Sequence, residues 1–195
     1  MKSFSIYHYV ILFSGSFFIA LCLTPLVRKL AKATGQMAIP KDSRWHKKET
    51  ALLGGVSIFI SAIGVWCLSV VFMGWNNLGS PYLPVILCAT GIFVLGLADD
   101  IFTMDPQHKL AAQIVITSIM MMFGFRLGWT VSKTANLFIT VIWIVGITNA
   151  FNLLDNMDGL SVGIALIAGI FLFLMHYLNP AMSHNVRPIL LMSAI

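Results

Sequence analysis

The sequence predicts an all-α polytopic membrane protein with six transmembrane helices, the start of a seventh, and an N-terminus outside the cell. Hydrophobic residues make up 58% of the 195 positions and charged residues only 10%, and the mean hydropathy is +0.90. Soluble domains carry about 25% charged residues, so a soluble or disordered chain is excluded. Most of the positive charge lies in one short segment, which favours a membrane surface over nucleic acid as the partner.

Stretches without charged residues locate the helices. Five such stretches have at least 16 residues, at 3–27, 50–98, 110–125, 134–154 and 159–186. A span needs about 20 residues to cross a hydrocarbon core of about 30 Å, so 50–98 holds two helices, separated by turn residues at 74–81. The predicted helices are 6–27, 52–73, 82–98, 110–125, 135–151 and 160–178, with a seventh beginning near Pro188. We expect 1–195 to form a single transmembrane domain.

The end of the sequence lies within the last predicted helix. Residues 188–195 would form about 12 Å of helix, at about 1.5 Å per residue, which is too short to cross the membrane. A terminus there would leave polar backbone groups in hydrocarbon. We therefore expect the sequence to be the N-terminal part of a longer protein, with a re-entrant or interfacial end as the alternative.

The charged residues give the orientation. Seven of the twelve basic residues follow the first helix: Arg28, Lys29, Lys32, Lys41, Arg44, Lys47 and Lys48. The positive-inside rule makes this loop cytoplasmic, and alternation places loops 99–109 and 152–159 on the same side. All seven acidic residues fall there too: Asp42, Glu49, Asp99, Asp100, Asp105, Asp155 and Asp158. Their clustering predicts a functional site at the inner membrane surface.

Asp99 and Asp100 directly follow the third predicted helix, at the end of its apolar run. Adjacent carboxylates repel each other, and the dipole disfavours negative charge at a helix C-terminus, so a nearby cation is expected to stabilise them. Mg²⁺ commonly pairs one or two carboxylates with substrate phosphates. Lys109 opens the next helix at the same membrane face and can bind phosphate as a point charge. A solvated helix end and a lysine that reaches the lipid interface are the alternatives.

A second polar group comprises Asn149, Asn152, Asp155 and Asp158, which recur every three residues. If the segment is helical, these side chains share one face and can coordinate a metal and hydrogen-bond a nucleotide. Asn149 lies within a predicted span, where an unpaired amide is costly. A capping turn with amide hydrogen bonds between helices is the alternative.

Together these motifs resemble the polyprenyl-phosphate N-acetylhexosamine-1-phosphate transferases of glycosyltransferase family 4. The resemblance covers about residues 28–178. It rests on three groups: 40–46 with Gly54 and Gly55, Asp99 and Asp100 with Lys109 and Gln113, and 149–159. Taken alone, the basic segment 40–48 would predict only contact with lipid headgroups. The Asn-Ala-Phe-Asn sequence at 149–152 is closer to the branch that starts O-antigen, enterobacterial common antigen or teichoic acid chains than to the peptidoglycan branch.

The resemblance implies a reaction at the cytoplasmic face of a bacterial inner membrane. Undecaprenyl phosphate attacks the β-phosphorus of UDP-N-acetylglucosamine or a related UDP-N-acetylhexosamine, and UMP leaves. It implies that Asp99 and Asp100 orient or deprotonate the lipid phosphate, and that Lys109 neutralises phosphate charge. Mg²⁺, with Mn²⁺ as the alternative ion, is implied at Asn152 and Asp155. The residues assigned to substrate binding are Arg44, His46, Asn149, Asp155 and Asp158. Membrane lipids are the other expected partners of the protein, and a homodimer is one option for its oligomeric state.

The sequence also departs from the family. No acidic residue follows Asp158, so the later Gly-Asp motif that helps to bind Mg²⁺ does not occur, and neither does the histidine-rich loop. We therefore expect the 195-residue form to have little or no activity. The alternatives are a phospho-MurNAc-pentapeptide transferase-like enzyme, a transporter fragment whose carboxylates line an ion path, and a purely structural membrane protein.

Overall fold

A computed structural model describes residues 6–38, 50–51, 53–73, 80–155 and 159–178. The helices are α1 Ile6–Ala33, α2 Gly54–Met73, α3 Ser80–Phe102, α4 Pro106–Met122, α5 Lys133–Leu154 and α6 Leu160–Leu178. Two strands of two residues each, β1 Met37–Ala38 and β2 Thr50–Ala51, pair antiparallel with Met37 opposite Ala51. Apart from this short pairing the regular structure of the described residues is helical, and the all-α part of the predicted fold class is confirmed.

Four of the described helices are long and apolar enough to cross a membrane. These segments are Val10–Ala33, Gly54–Val71, Leu83–Phe102 and Lys133–Leu154. Many large apolar side chains on the described helices are exposed, including Phe17, Val71 and Met122, as expected for surfaces that face lipid. The chain is therefore a membrane protein. The count of six spans and the external N-terminus stay predictions, and the predicted seventh helix lies outside the described residues.

Several helix ends differ from the sequence prediction. The first helix continues beyond its predicted end at 27 to Ala33, and the third continues beyond 98 to Phe102. Lys, Arg, Leu and Ala are strong helix formers, so charged residues end the apolar run without ending the helix. The fourth helix is displaced toward the N-terminus, at Pro106–Met122 rather than 110–125, because Asp105 caps its start.

By their contacts the residues form two compact units. The first comprises α1, α2 and the two strands, together with residues 80–83 and 100–102 of α3. In this unit α1 packs against α2, and the Thr24 Oγ1 hydroxyl lies 3.3 Å from Ser57 Oγ. Ser57 and Ser61 are buried on α2, and such small polar residues are typical of membrane helix contacts.

The C-terminus of α1 is closed by a glycine. Gly35 has a φ of +72°, which L side chains rarely adopt, and the next residue, Gln36, donates its N–H to the Ala31 carbonyl at 2.9 Å. This is the Schellman pattern that satisfies carbonyls at a helix end. The turn directs the chain from α1 into β1.

The second unit contains the central part of α3, residues 84–99, together with α4, α5 and α6. Its apolar core consists of Val85, Cys88, Met120 and Phe125, with Ile116 and Ile144 packed against it. Gly91 of α3 lies next to the Ile116 side chain of α4, and an added Cβ on this glycine would lie 3.3 Å from Ile116 Cδ1.

The loop between α4 and α5 is held by side chains of α5. The buried Thr140 hydroxyl accepts the Leu127 N–H at 3.0 Å and donates to the Asn136 carbonyl at 2.6 Å. Asn136 in turn accepts from the N–H of Thr130 and donates to its carbonyl, at 2.9 and 2.8 Å. These bonds fix the N-terminal part of α5 to the loop. Asn152 lies near the other end of this helix.

Candidate active site

The connection between α3 and α4 carries an ion pair. The ammonium of Lys109, in the first turns of α4, donates to the Asp99 carboxylate near the end of α3, with an Nζ–Oδ2 distance of 2.6 Å. The other oxygen of Asp99 accepts the Met104 N–H at 3.0 Å. The side chains are 16% exposed for Lys109 and 24% for Asp99, so both charges are partly removed from solvent. Asp99 is thereby stabilised against the unfavourable dipole at the helix C-terminus.

Three residues suffice to turn the chain between these helices. Thr103 adopts a φ of +51°, a region that side chains other than glycine seldom occupy, and directs the chain out of α3. Asp105 is the N-cap of α4 and accepts the Gln107 N–H at 3.1 Å, while Pro106 occupies the first turn. Proline there loses no helical hydrogen bond. The sequence around the turn thus brings Lys109 back to Asp99.

A pair of amides joins α4 to α5. Asn149 donates through Nδ2 to Gln113 Oε1 at 2.7 Å and to the Val145 carbonyl at 2.8 Å. Gln113 is 2% exposed, so Asn149 supplies its buried amide oxygen with a hydrogen bond that bulk water cannot supply. The amide that sequence analysis placed inside a span is therefore satisfied between helices, as its alternative interpretation proposed.

An open cavity of about 140 Å³ lies among α3, α4 and α5. Its lining is Ile92, Leu95, Gly96, Lys109, Gln113, Thr148 and Asn152. Three helices thus contribute one wall each, and the polar side chains come from α4 and α5. An added Cβ on Gly96 would meet no heavy atom within 4 Å, so this glycine leaves the space open.

The C-terminal end of α5 bears oxygen donors. Asn152 lies in the last turn and is exposed, and Asp155 is the C-cap, one turn further. The Asp155 carboxylate accepts the Ser161 hydroxyl at 2.9 Å, which links the ends of α5 and α6. The helix dipole places partial negative charge here and therefore favours a cation.

The structure brings together some of the predicted residues and leaves others apart. Lys109 and Asn152 line one cavity, Asp99 pairs with Lys109, and Asn149 bonds to a lining residue. Asp100 follows Asp99 on the same helix and is exposed. The remaining predicted residues, Arg44, His46 and Asp158, lie outside the described residues. The functional roles of all of them stay predictions.

Four residues of the cavity were missed by sequence analysis: the apolar Ile92 and Leu95, together with Gly96 and Thr148. Thr148 lines it from α5, and Gly96 lines it from α3. Thr148 precedes Asn152 by four residues, so helical spacing could have indicated that they share a face. Gly96 lies three residues before Asp99, and its place in the cavity becomes apparent only when α4 and α5 are in place.

The donor chemistry of the α5 end fits a magnesium ion. Asn152 and Asp155 offer an amide and a carboxylate oxygen one turn apart, and Mg²⁺ takes few protein ligands when substrate phosphates complete its shell. Within the described ranges no three His, Cys, Asp or Glu side chains come together.

Helices that can cross a membrane, together with a small cavity whose lining includes Lys109, Gln113 and Asn152, define a membrane protein with a cationic group and two amides at one cavity. The sequence pattern described as glycosyl transferase family 4 matches residues 82–195, more than half of the chain. The chain belongs to this family, and the predicted resemblance is confirmed.

Curated relatives agree with the family. The chain is 31% identical over 172 residues to the probable undecaprenyl-phosphate N-acetylglucosaminyl 1-phosphate transferase of Bacillus subtilis, covering 81% of this chain and 45% of the relative. It is 30% identical over 162 residues to the undecaprenyl-phosphate alpha-N-acetylglucosaminyl 1-phosphate transferase of Thermotoga maritima, covering 79% and 48%.

A phospho-N-acetylmuramoyl-pentapeptide-transferase of Limosilactobacillus reuteri is 28% identical over 174 residues, covering 79% of this chain and 53% of the relative. The chain thus spans about half the length of the curated relatives it matches. No solved structure gives a significant match.

Proposed function

We propose that the protein transfers N-acetylglucosamine 1-phosphate from UDP-N-acetylglucosamine to undecaprenyl phosphate, releases UMP, and so starts a cell-envelope polysaccharide. The observation that carries this proposal is the cavity in which the Lys109 ammonium and the Asn152 amide face the same space, with Asp99 paired to the lysine. Family membership and the names of the two N-acetylglucosaminyl 1-phosphate transferases support the donor and the acceptor.

The acceptor needs positioning more than deprotonation. A phosphate monoester has a second pKa of about 6, so the lipid phosphate is largely a dianion at neutral pH and already nucleophilic. Phosphoryl transfer depends mainly on alignment and on neutralising the charge of the phosphates. Side chains that hold and neutralise the two substrates therefore supply most of the chemistry that this reaction requires.

Asp99 and Lys109 fit those roles. Both oxygens of Asp99 accept hydrogen bonds, from Met104 and Lys109, which favours its action as an orienting group rather than as a base. An ammonium has three N–H donors, and Asp99 uses one of them, so Lys109 retains donors for a phosphate oxygen. In this proposal Asp100 assists with the acceptor, and Arg44, His46, Asn149 and Asp158 contact the substrates.

The metal belongs to the proposal as well. Asn152 and Asp155 would hold Mg²⁺, or Mn²⁺ in its place, and the bound ion would neutralise diphosphate charge. The negative end of the α5 dipole supports a cation at this position. Asp155 is already oriented by Ser161, so its carboxylate is positioned before an ion arrives.

The topology completes the proposal. Six spans, an external N-terminus and a site at the cytoplasmic face of a bacterial inner membrane would give the cavity access to cytosolic UDP-sugars and to lipid phosphate. Residues 1–195 would then form one transmembrane domain, with a homodimer as one option. Cysteine-accessibility labelling of positions 99 and 155 tests this, since labelling from opposite sides of the bilayer would contradict a shared site.

The activity is tested with two preparations. The chain in detergent is titrated with UDP-N-acetylglucosamine with and without MgCl₂, and the natural gene product that carries this sequence is assayed for UMP release with undecaprenyl phosphate. We expect saturable, Mg²⁺-dependent binding and UMP release. Lys109→Met should weaken binding about 10- to 100-fold, as expected for loss of a charged hydrogen bond.

The exposed Lys133, at the start of α5, provides the matched control, since Lys133→Met should leave binding unchanged. Equal effects of the two substitutions would contradict the proposed site. UMP release from UDP-MurNAc-pentapeptide but not from UDP-N-acetylglucosamine would favour the peptidoglycan reaction instead. Ion flux through vesicles without nucleotide binding would favour the transporter alternative.

A further inference from the structure

Gln113 contacts two parts of the candidate site at once. It lines the cavity together with Lys109, and its Oε1 accepts the Asn149 Nδ2–H at 2.7 Å. Its side chain is 2% exposed, so each of its polar groups needs a partner other than bulk water. The bond to Asn149 accounts for the oxygen, and the Nε2 amide group remains to be assigned.

The orientation of both amides follows from the hydrogen-bond inventory. Asn149 also lies 2.8 Å from the Val145 carbonyl, which can only accept, so the atom of Asn149 at this point must be the nitrogen. The atom of Gln113 that faces this nitrogen must then be Oε1. Gln113 therefore carries its two N–H donors on the side away from Asn149.

We propose that Gln113 Nε2 is a second phosphate-binding group of the cavity, donating to the phosphate that Lys109 neutralises. The two residues are four positions apart on α4, so they lie on the same helix face one turn from each other. Because Asn149 occupies the amide oxygen, Gln113 offers the cavity donors alone and therefore selects an anion over a cation. A donor bond to a charged phosphate oxygen is stronger than one to a neutral acceptor.

A purely structural role is the competing explanation. In that case Gln113 would only hold α4 against α5 through Asn149. Gln113→Glu separates the two roles, because it keeps an oxygen that accepts from Asn149 and replaces the donor by an anionic oxygen. The donor role predicts a large loss of phosphate binding, but the new anionic oxygen also repels phosphate, so this variant is read together with the uncharged Gln113→Met.

The test measures binding by the full chain in detergent, by calorimetry near neutral pH. One arm uses UDP-N-acetylglucosamine and the other uses undecaprenyl phosphate in mixed micelles, so the arm that responds identifies which phosphate is bound. We expect Gln113→Glu to raise the Kd about 10- to 100-fold in at least one arm. Lowering the pH should restore binding relative to the unsubstituted chain, because a protonated carboxyl again donates a hydrogen bond.

Gln107 provides the matched control. It lies at the start of the same helix, is exposed, and does not line the cavity, so Gln107→Glu adds the same charge to α4 and should leave the Kd and its pH dependence unchanged. Gln113→Met fills a similar volume without a donor or a charge, but it also removes the bond to Asn149, so it is tested with UDP-N-acetylglucosamine and with uridine, which has no phosphate. A rise in Kd of about tenfold for UDP-N-acetylglucosamine alone supports the inference, and equal rises for both probes would overturn it.

Two further results would overturn the inference. One is binding of both phosphate probes by the folded Gln113 variants within about twofold of the unsubstituted chain, and the other is failure of the unsubstituted chain to bind either phosphate probe. The identity of the phosphate rests on the proposed function, but the inference and the proposed function can be refuted independently of each other. Loss of probe binding in Gln113→Glu without UMP release by the natural gene product would retain the inference and reject the transferase reaction.

Discussion

Removing the charge of Asp99 should destabilise the protein because its carboxylate joins α3 to α4. Hydrogen bonds to charged groups contribute about 1.5–3 kcal/mol, whereas exposed ion pairs contribute about 0–1 kcal/mol. The Asp99–Lys109 pair has an Nζ–Oδ2 distance of 2.6 Å and side chains exposed by only 24% and 16%, so the larger range applies. Asp99→Asn keeps a carbonyl oxygen for the Met104 N–H and loses the charged bond, which gives an expected loss of about 1.5–3 kcal/mol.

A double-mutant cycle isolates this pair. The free energy of unfolding is measured by SDS titration in micelles for Asp99→Asn, Lys109→Met and the double variant. We expect a coupling energy of about 1.5–3 kcal/mol, because either single substitution already breaks the bond. Asp105, four residues before Lys109, gives the control cycle. Asn caps a helix about as well as Asp, so its coupling to Lys109 should be about 0.5 kcal/mol or less. Equal coupling in the two cycles would refute the structural role of the pair.

Three further substitutions probe the cavity, the loop before α5 and the turn. Gly96→Ala should raise the free energy of unfolding by about 0.5–1 kcal/mol, since alanine favours a helix. The same change should weaken binding of UDP-N-acetylglucosamine about tenfold, because its Cβ enters the cavity. Thr140→Val should lower the free energy of unfolding by about 1–3 kcal/mol, because it leaves the buried Leu127 N–H unpaired. Asp105→Ala should lower it by about 1 kcal/mol through loss of the α4 cap. SDS titration and calorimetry measure these effects.

Each of these has a matched control. Gly64→Ala, in α2, should stabilise the helix without changing nucleotide binding, since a Cβ there also meets no heavy atom within 4 Å. Thr134→Val replaces an exposed threonine near the start of α5 and should have little effect. Asp105→Asn should retain the cap. A Gly96→Ala variant that binds the nucleotide normally, or a neutral Thr140→Val, would contradict the geometry of the cavity or of the loop.

The sequence predicted the helices because hydropathy is a local property. Six helices were expected in the described part of the chain and six are found, each overlapping its predicted range. The ends were less predictable. Asp99 was taken to follow its helix, but its charge is satisfied by Lys109 across the turn, and α3 continues to Phe102. A charge marks the end of an apolar run, while the end of a helix depends on caps and tertiary partners.

The sequence predicted which types of residue the site contains, but not which residues contact each other. Periodicity placed Asn149 and Asn152 near one face of a helix, but the bond from Asn149 to Gln113 joins positions 36 residues apart. Gln113 and Thr117, four residues apart, mark the buried face of α4, but the local sequence does not say which helix this face meets. The cavity therefore required the packing of three helices before Gly96 and Thr148 could be assigned to it.

The turn at Thr103 has a mechanical consequence. Three residues link α3 to α4, and Asp99 is bonded both to that link and to Lys109, so the end of α3 is fixed to the first turns of α4. Further along the helix, α4 packs against α5, and Gln113 of α4 accepts a hydrogen bond from Asn149 of α5. A ligand that displaced α4 would therefore disturb a charged bond to one neighbouring helix and an amide bond to the other.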